Sequence, residues 1–256
     1  MYAEERQQAI AAQVRERGRV SVTELADRFD VTGETVRRDL AALQRAGSLV
    51  RVHGGAVRLD VAAVVDEPDL SVRETSCRPQ KAAIGAAAQR FLPPDGGAVL
   101  FDAGTTTFQA ANAMSGDARH QLVTNSLPIA ASFTHLSRSS AVLLGGRLRP
   151  KTQSAVGADT VEALRRLHLS VGFIGANGLT AAHGVSTPDP DEAAVKRAMI
   201  AACDLVVVLA DSSKLNRQEL VSFGSLDDID VLVTDDGIDS AFASTLSAHD
   251  IEVVIA

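Results

Sequence analysis

The chain has 256 residues, of which 46% are hydrophobic and 22% are charged, a composition typical of a soluble globular protein with two domains. Its two cysteines and six histidines lack the spacing of a metal site or a disulfide framework. No apolar run is long enough for a signal peptide or a membrane span. We therefore expect a cytoplasmic protein with no membrane partner, no metal and no cofactor.

The net charge of -7 is distributed unevenly along the chain. Residues 1–58 contain ten arginines and eight carboxylates and carry +2, whereas residues 59–256 contain 15 basic and 24 acidic residues and carry -9. Within residues 32–58, five arginines outnumber two carboxylates. A local basic surface beside an acidic body is typical of a protein that binds nucleic acid through one small module.

The first three predicted helices form a helix-turn-helix arrangement. Apolar residues at helical spacing predict a helix over residues 4–17 and a second over Thr23–Phe29, after a short strand over residues 20–22. A tight turn then leads to a third helix over Thr32–Ala46. Thr23 and Thr32 are the predicted caps of the second and third helices.

The third helix has an apolar stripe and a basic opposite face. At 3.6 residues per turn, the stripe consists of Val36, Leu40 and Leu43. Arg38 and Arg45 point away from this stripe, and Arg37 lies on its flank. Such a helix is shaped to enter a DNA groove, although a solvated charged face is also common on ordinary amphipathic helices. The flanking sequence favours the DNA-binding interpretation.

A hairpin is predicted directly after this helix. β-Branched residues on both sides of Gly54-Gly55 are a strong hairpin signal, and a hairpin in this position forms a wing. Its basic residues are placed to contact DNA phosphates or to be solvated, while the helix arginines can reach guanine edges or phosphates. The candidate DNA-binding residues are Thr32, Thr35, Arg37, Arg38, Arg45, Arg51 and His53.

Two segments of this region resemble a known family. The sequence Thr-Val-Arg-Arg-Asp-Leu at residues 35–40, followed by Val-Arg-Val-His-Gly-Gly-Ala at residues 50–56, resembles the winged-helix signature of the DeoR-type bacterial regulators of sugar and polyol metabolism. The resemblance covers nearly the whole chain. Together with the irregular composition of residues 59–76, it implies a winged helix-turn-helix DNA-binding domain over 1–58, a linker over 59–76 and a sugar-phosphate-sensing effector domain over 77–256.

The effector domain is predicted to have an α/β fold. Short runs rich in Val, Leu and Ile alternate with helical stretches, which predicts a mostly parallel sheet buried on both faces by helices. The predicted strands are 98–101, 121–124, 141–144, 171–174, 205–210, 231–233 and 251–255. The resemblance implies the same architecture, because the family's sensor domain is similar in fold to ribose-5-phosphate isomerase.

Small polar residues follow five of the predicted strands. Ligands of parallel sheets bind beyond the carboxyl ends of the strands, so we expect these residues to form one pocket for a phosphorylated sugar. Each group alone also fits an ordinary strand-to-helix turn. The candidate effector-binding residues at strand ends are Asp102, Gly104, Thr105, Thr106, Thr124, Asn125, Ser126, Gly145, Gly146, Arg147, Asn177, Asp211 and Lys214.

Glu192 and Lys196 complete the candidate effector site. Their spacing of four residues on a predicted helix fits a solvated salt bridge. The resemblance instead implies that this helix borders the pocket, and it matches three of the strand-end motifs, at residues 102–106, 124–126 and 211–214. The chain departs from the family pattern at Asn177, where an Asp is usual, and this change removes a possible charged acceptor.

These observations predict a sequence-specific DNA-binding transcriptional regulator, a repressor of carbohydrate metabolism genes controlled by a phosphorylated sugar effector. Its partners would be a double-stranded DNA operator and further copies of the chain, because paired half-sites need a homodimer or higher homo-oligomer. The alternative is a sugar-phosphate isomerase-like enzyme with an appended DNA-binding head, in which Asp102, Asp211 and Lys214 offer acid–base groups. No specific catalytic arrangement supports it, so we expect no enzyme.

Overall fold

A computed structural model describes residues 3–17, 19–29, 31–45, 49–52, 55–57, 69–136 and 138–256. The chain forms two compact units, residues 1–67 and residues 68–256. Most of the predicted linker over residues 59–76 lies outside the described residues, and its later part contains a short helix, Leu70–Thr75. The division into domains after residues 58 and 76 stays a prediction.

The first unit is a helix-turn-helix with an antiparallel sheet. Its described elements are α1 (Ala3–Arg17), β1 (Arg19–Ser21), α2 (Val22–Phe29), α3 (Gly33–Arg45), β2 (Val50–Val52) and β3 (Gly55–Val57). The sheet has the order β1-β3-β2, which confirms the predicted hairpin. The cap predicted at Thr23 is wrong, because α2 begins at Val22 and the backbone N–H of Glu24 donates to the Ser21 hydroxyl at 3.1 Å.

The predicted stripe of α3 lies in the core of this unit. Val36, Leu40 and Leu43 are buried, and the rest of the buried cluster consists of Ile10, Val14, Val20, Leu25, Leu49 and Ala56. A Cβ atom on Gly55 would lie 2.0 Å from the backbone oxygen of Val20, so only glycine lets β3 approach β1 at this point. The packing leaves the opposite face of α3 exposed.

The second unit is built on a seven-stranded parallel sheet. Its strands are β4 (Ala98–Phe101), β5 (Gln121–Thr124), β6 (Ser140–Leu143), β9 (Val171–Gly175), β12 (Val206–Leu209), β14 (Val231–Thr234) and β15 (Glu252–Ile255). Their order is β15-β14-β12-β9-β4-β5-β6, and every neighbouring pair is parallel. Each predicted strand is therefore confirmed to within one residue at either end.

Helices and smaller sheets complete this unit. The helices are α4 (Leu70–Thr75), α5 (Arg78–Ala87), α6 (Thr105–Asn112), α7 (Leu127–Ser132), α8 (Ala158–Leu164), α9 (Pro190–Ala201) and α10 (Ser240–Ala248). A hairpin pairs β7 (Arg147–Arg149) with β8 (Ser154–Val156). An antiparallel sheet of order β10-β11-β13 contains β10 (Gly178–Thr180), β11 (Gly184–Thr187) and β13 (Val221–Gly224).

Successive side chains of the central strands enter two separate cores. Val99 and Phe101 of β4 pack in a cluster with α5, α6 and α7, whereas Leu100 packs in a cluster with α8, α9 and α10. This arrangement confirms the prediction of burial on both faces for the central strands. The prediction is wrong for β6, an edge strand with all four residues exposed, including Val142 at 53%.

The strand order reverses between β4 and β9. From β4 the chain continues to β5 and β6 on one side, and then returns to β9, β12, β14 and β15 on the other side. Ligands of open α/β sheets bind in the crevice at such a reversal, beyond the carboxyl ends of the strands. Asp102, the residue after β4, bridges this point by accepting the backbone N–H of Gly175 at 2.9 Å.

Candidate functional site

The exposed face of α3 presents two arginine side chains. Arg37 and Arg38 are 57% and 81% exposed, and the carboxylate of Glu34 lies 3.7 Å from Nη1 of Arg37 and 3.5 Å from Nε of Arg38. Exposed ion pairs of this kind contribute only about 0–1 kcal/mol. Either arginine can therefore exchange Glu34 for a phosphate or a base edge at little cost.

The N-terminus of α3 is capped as predicted. The backbone N–H of Thr35 donates to Oγ1 of Thr32 at 3.2 Å, and the two hydroxyl oxygens lie 2.9 Å apart. Thr32 is exposed, so the partial positive charge of this helix end faces solvent. Arg45 ends α3 and Arg51 lies in β2, but their side chains, and the whole of His53, are outside the described part of the chain.

A cavity of the second unit lies at the carboxyl ends of β4, β9 and β12. The first turn of α6, the loop after β9, helix α9 and the loop after β12 all line it. It brings together eight of the predicted effector residues, namely Gly104, Thr105, Thr106, Asn177, Glu192, Lys196, Asp211 and Lys214. Hydroxyl groups, an amide, cations and carboxylates from three strand ends and from α9 therefore meet at one opening.

Asp102 and Lys196 form a buried pair beneath this cavity. Asp102 lies in a smaller cavity that shares Lys196 with the larger one. The Lys196 ammonium donates to the carboxylate of Asp102 and, at 2.8 Å, to the backbone oxygen of Gly175. Burial raises the pKa of Asp102 above its ordinary value, and the Lys196 charge opposes this shift. The pair fixes Lys196 at the strand reversal.

The alternative of a solvated salt bridge between Glu192 and Lys196 is wrong. Both side chains are buried, and each has a different partner. Oε1 of Glu192 accepts from Nη1 of Arg149 at 3.2 Å and from the Thr152 hydroxyl at 2.7 Å, while Oε2 accepts from the Thr187 hydroxyl at 3.2 Å. Tertiary partners therefore hold Glu192 at the cavity.

Two lysines of the cavity are partly desolvated. Burial lowers the pKa of Lys81 and of Lys214, while the nearby Asp211 carboxylate opposes the shift in both. Asp211 also begins the short helix Ser212–Lys214 by accepting the backbone N–H of Ser213 at 3.2 Å. Partly desolvated cations suit an anionic ligand, because such a ligand restores the stabilisation that water no longer supplies.

The residues predicted after β5 support the site without lining the larger cavity. The Thr124 hydroxyl donates to the backbone oxygen of the last residue of β4 at 2.6 Å, and Ser126 caps α7. Asn125 lies in the smaller cavity, where its Oδ1 accepts the backbone N–H of Ala103 at 3.1 Å. Thr124 and Asn125 therefore fix the end of β4 and the loop after it, which carries lining residues, whereas Ser126 caps a helix that lines neither cavity.

The residues predicted after β6 lie away from both cavities. Gly146 has a φ of +147°, and a Cβ atom there would lie 2.1 Å from Oγ1 of Thr160. The same Thr160 hydroxyl donates to the backbone oxygen of Gly145 at 2.7 Å, so this glycine pair permits a tight packing contact. Arg147 is exposed and pairs with Asp191. Their geometry therefore gives these residues structural partners outside both cavities.

The part of the cavity wall that precedes β4 was not predicted from the sequence. Arg73, Ser76, Cys77 and Lys81 line the cavity, and the first three fall in or beside the predicted linker. One signal was present in the sequence. Lys81 shares a helix face with Ile84 and Ala88, at spacings of three and seven residues, and a lysine on an apolar face needs buried partners.

Over the ranges that the structure describes, no helix is long and apolar enough to cross a membrane. The same ranges contain no cluster of three or more histidine, cysteine or carboxylate side chains that could hold a metal ion.

Comparison with known protein families identifies both units. Residues 6–61 match the DeoR-like helix-turn-helix domain, and residues 76–236 match the DeoR C terminal sensor domain. The chain belongs to the DeoR family of transcriptional regulators. The resemblance drawn from the signature of α3 and the wing is confirmed.

Named relatives extend over nearly all of this DeoR-family chain. The HTH-type transcriptional regulator GlpR of Haloferax volcanii is 34% identical over 254 residues, which cover 99% of this chain and 98% of GlpR. The HTH-type transcriptional repressor GlcR of Bacillus subtilis is 29% identical over 255 residues, which cover 100% of this chain and 97% of GlcR. This member of the family is a DNA-binding transcriptional regulator and not an enzyme.

A solved structure of an enzyme resembles the DeoR-family chain over part of its length. Ribose 5-phosphate isomerase A of Methanocaldococcus jannaschii is 14% identical to it and has a TM-score of 0.40, with 55% of each chain covered. The likeness is distant.

Proposed function

We propose that this DeoR-family protein represses genes of carbohydrate metabolism by binding an operator in double-stranded DNA, and that a phosphorylated sugar controls this binding. One observation carries the proposal. The same chain combines an exposed arginine face on α3 with a cavity of hydroxyls, cations and carboxylates at a strand reversal. The relative GlcR is named a transcriptional repressor, which supports repression rather than activation.

Helix α3 enters the major groove in this proposal. Arg37 and Arg38 are free of the apolar core and reach guanine edges, where one bidentate contact discriminates by about 1–3 kcal/mol. The open N-terminus at Thr32 and Thr35 lies against a phosphate. Further phosphate contacts, which set the register on the duplex, come from Arg45, Arg51 and His53.

The effector lies in the cavity with its phosphate at the first turn of α6. Gly104 gives clearance, and Thr105 and Thr106 offer hydroxyls together with unpaired helix amides. Lys214 adds a positive charge, and Asn177 offers an amide to a sugar hydroxyl. Glu192 and Lys196 bind further hydroxyls from α9, while Asp102 acts by holding Lys196 in place.

The proposal includes self-association and a cytoplasmic location. A single recognition helix reads one half-site, so specific binding at an operator requires at least a homodimer, or a higher homo-oligomer on several half-sites. The cytoplasmic location follows from the DNA target.

The test uses the purified full-length protein. Selection from a random DNA library should enrich a sequence with two related half-sites, bound with a Kd of about 10 nM or tighter at physiological salt. A panel of glucose 6-phosphate, fructose 6-phosphate and ribose 5-phosphate is then screened for a rise in Tm, which a ligand of the folded state produces by mass action. The compound with the largest rise should change the operator Kd. The proposal is contradicted if no DNA sequence is enriched, or if no sugar phosphate changes either the Tm or the operator Kd.

A further inference from the structure

Strand β6 forms an open edge of the seven-stranded sheet. Among the described strands it pairs with β5 alone, in parallel. The backbone N–H of Ser140 donates at 3.1 Å to the residue before β5, and that of Leu144 donates at 2.8 Å to the last residue of β5. Because alternate residues of a strand face opposite neighbours, the N–H and C=O groups of Ala141 and Leu143 point away from β5. These groups are available to a further strand.

Apolar side chains are exposed on both faces of β6. Val142 and Leu143, which point to opposite faces, are 53% and 44% exposed. Helix α7, which contacts β6, begins with the exposed Leu127, and β7 exposes Leu148. The other exposed large apolar side chains of the described residues are only Val72, Leu220 and Ile255. Such a concentration around one strand is typical of a surface that another protein covers.

Charge distinguishes this edge from the opposite edge of the sheet. Proteins protect exposed edge strands from pairing by placing charged side chains on them. At the opposite edge, β15 begins with Glu252, which pairs with Arg90 at 3.1 Å. Residues 139–146, which include β6, contain no charged side chain, although residues 59–256 carry a net charge of -9. Two copies of this acidic chain can therefore approach each other at β6 without repulsion between like charges.

The open backbone groups of β6 are complementary to those of a second β6. In an antiparallel pair, bonded residues exchange both N–H···O bonds, so only residues whose groups point outward can pair. When Val142 lies opposite its own copy, Ala141 lies opposite Leu143 of the partner subunit. Every outward N–H and C=O group of these two residues then has a partner.

The neighbouring registers leave some of these groups unpaired. If Ala141 lay opposite its own copy, Leu143 would face Ser139 of the partner subunit, but the Ser139 N–H already donates to the backbone oxygen of Leu136 at 3.1 Å. If Leu143 lay opposite its own copy, Ala141 would face Gly145, where the chain leaves the strand. The register centred on Val142 is therefore the one that satisfies β6 best.

We propose that two copies of this chain associate through β6, which pairs antiparallel with β6 of the partner subunit about a twofold axis at Val142. An interface of this kind uses the same surface of both copies and is closed, so it produces a dimer and no filament. Its twofold symmetry matches an operator with two related half-sites. The inference rests on the proposed function, which requires a homodimer, and assigns the surface that forms it.

The first test joins the two copies through an introduced cysteine. In the proposed register the Cα atoms of the two Val142 residues lie about 4.5 Å apart, within the range of a disulfide. Under mild oxidation, Val142→Cys should form a covalent dimer at least about tenfold faster than Val72→Cys, whose site on α4 is equally exposed at 54%. The wild type, which contains Cys77 and Cys203, gives the background rate.

A cysteine one residue away tests the register. The two copies of Ala141 are diagonal neighbours about 7–8 Å apart, so Ala141→Cys should cross-link more slowly than Val142→Cys. Equal rates for Val142→Cys and Val72→Cys, or a faster rate for Ala141→Cys, overturn the inference.

The second test measures self-association of the full chain by sedimentation velocity at a series of protein concentrations. Val142→Lys places two ammonium groups opposite each other and removes two apolar side chains from the interface, so the dimer Kd should rise at least about tenfold. Val72→Lys is the matched control and should keep the wild-type Kd. Because β6 lines neither cavity, Val142→Lys should still show the rise in Tm that sugar phosphate produces, which also verifies that it folds.

The outcomes separate this inference from the proposed function. A wild-type dimer Kd in Val142→Lys overturns the inference and leaves the proposed function standing, because the copies then associate through another surface. A wild-type chain that stays monomeric at every concentration and on operator DNA overturns the proposed function as well.

Discussion

The Nε atom of Arg6 lies 2.6 Å from Oδ2 of Asp39, and this ion pair is almost completely buried. It joins α1 to the middle of α3, and the side-chain amide of Gln7 donates to the other carboxylate oxygen at 3.0 Å. Asp39 therefore fixes the orientation of the helix that carries Arg37 and Arg38.

Replacing Asp39 with Ala should therefore destabilise the DNA-binding unit. The variant leaves the Arg6 guanidinium buried without its carboxylate, and the loss of one partner of such a pair costs about 3–5 kcal/mol. Urea unfolding of the full chain, monitored through a signal that comes from the first unit, measures the change in the free energy of unfolding. Glu34→Ala is the control, because this carboxylate is exposed and its removal should change stability by less than about 1 kcal/mol. Equal stability of the two variants would show that the buried pair contributes nothing.

A second prediction concerns the exposed arginines of α3. Arg38→Ala should weaken binding to the selected operator by about 1–3 kcal/mol, because it removes a base-edge contact. The rise in Tm that sugar phosphate produces should be unchanged. Electrophoretic mobility shifts with operator and with scrambled DNA measure the two affinities. Arg166→Ala removes an equally exposed arginine from the second unit, where it pairs with Glu162, and should leave both affinities unchanged. Undiminished operator binding by Arg38→Ala contradicts the role of this face.

The elements that depend on local pattern could be predicted from the sequence. The Thr32 cap and the stripe of Val36, Leu40 and Leu43 follow from spacing within one helix. The exposure of β6 could not be predicted, because its apolar run reads like those of the central strands and only the strand order puts it at an edge. Sheet order is set by contacts between residues far apart in the chain.

The same limit applies to the candidate site. Strand ends such as Gly104 and Asn177 could be identified, because the carboxyl ends of parallel strands share one edge of the sheet. The partners of Glu192 and Lys196 could not be identified, since the local spacing of four residues favoured pairing between them, while Arg149 and Asp102 are 43 and 94 residues away. The loop after β6 was predicted to line the site because glycines often leave room for a ligand. In the structure, the missing side chain of Gly146 instead makes room for Thr160.

A third prediction concerns Lys214. Lys214→Met should weaken sugar phosphate binding by about tenfold, because it removes a partly desolvated charge from the cavity, and should leave operator affinity without effector unchanged. Isothermal titration calorimetry with the panel compound measures the Kd for sugar phosphate, and titration with operator DNA in its absence measures the operator Kd. Lys151→Met, on the β7–β8 connection outside the cavity lining, is the matched lysine control. If Lys214→Met binds the sugar phosphate as the wild type does, Lys214 is not an effector ligand.

The last prediction concerns Asp235, which holds the loop after β12 in place. Its carboxylate accepts the backbone N–H and the hydroxyl of Ser212, each at 2.7 Å, and the backbone N–H of Gly237 at 3.3 Å. Burial raises the pKa of Asp235, but these hydrogen bonds outweigh it, and the pKa lies below its ordinary value. A carboxylate whose pKa is lower in the folded state stabilises the protein above the unfolded pKa of about 4, and this contribution disappears as pH falls through the folded value.

Asp235→Asn should therefore reduce the free energy of unfolding at pH 7 by about 1–2 kcal/mol and should flatten its decline below about pH 4. Chemical unfolding of the full chain at a series of pH values between about 7 and 2.5 measures both effects. The neighbouring Asp236 is exposed, so Asp236→Asn is a matched control that should keep the wild-type profile. Since Ser212 begins the turn that carries Lys214 to the cavity, loosening this loop should also weaken sugar phosphate binding in Asp235→Asn at pH 7. A variant with the wild-type pH profile would show that these hydrogen bonds do not stabilise the charged carboxylate.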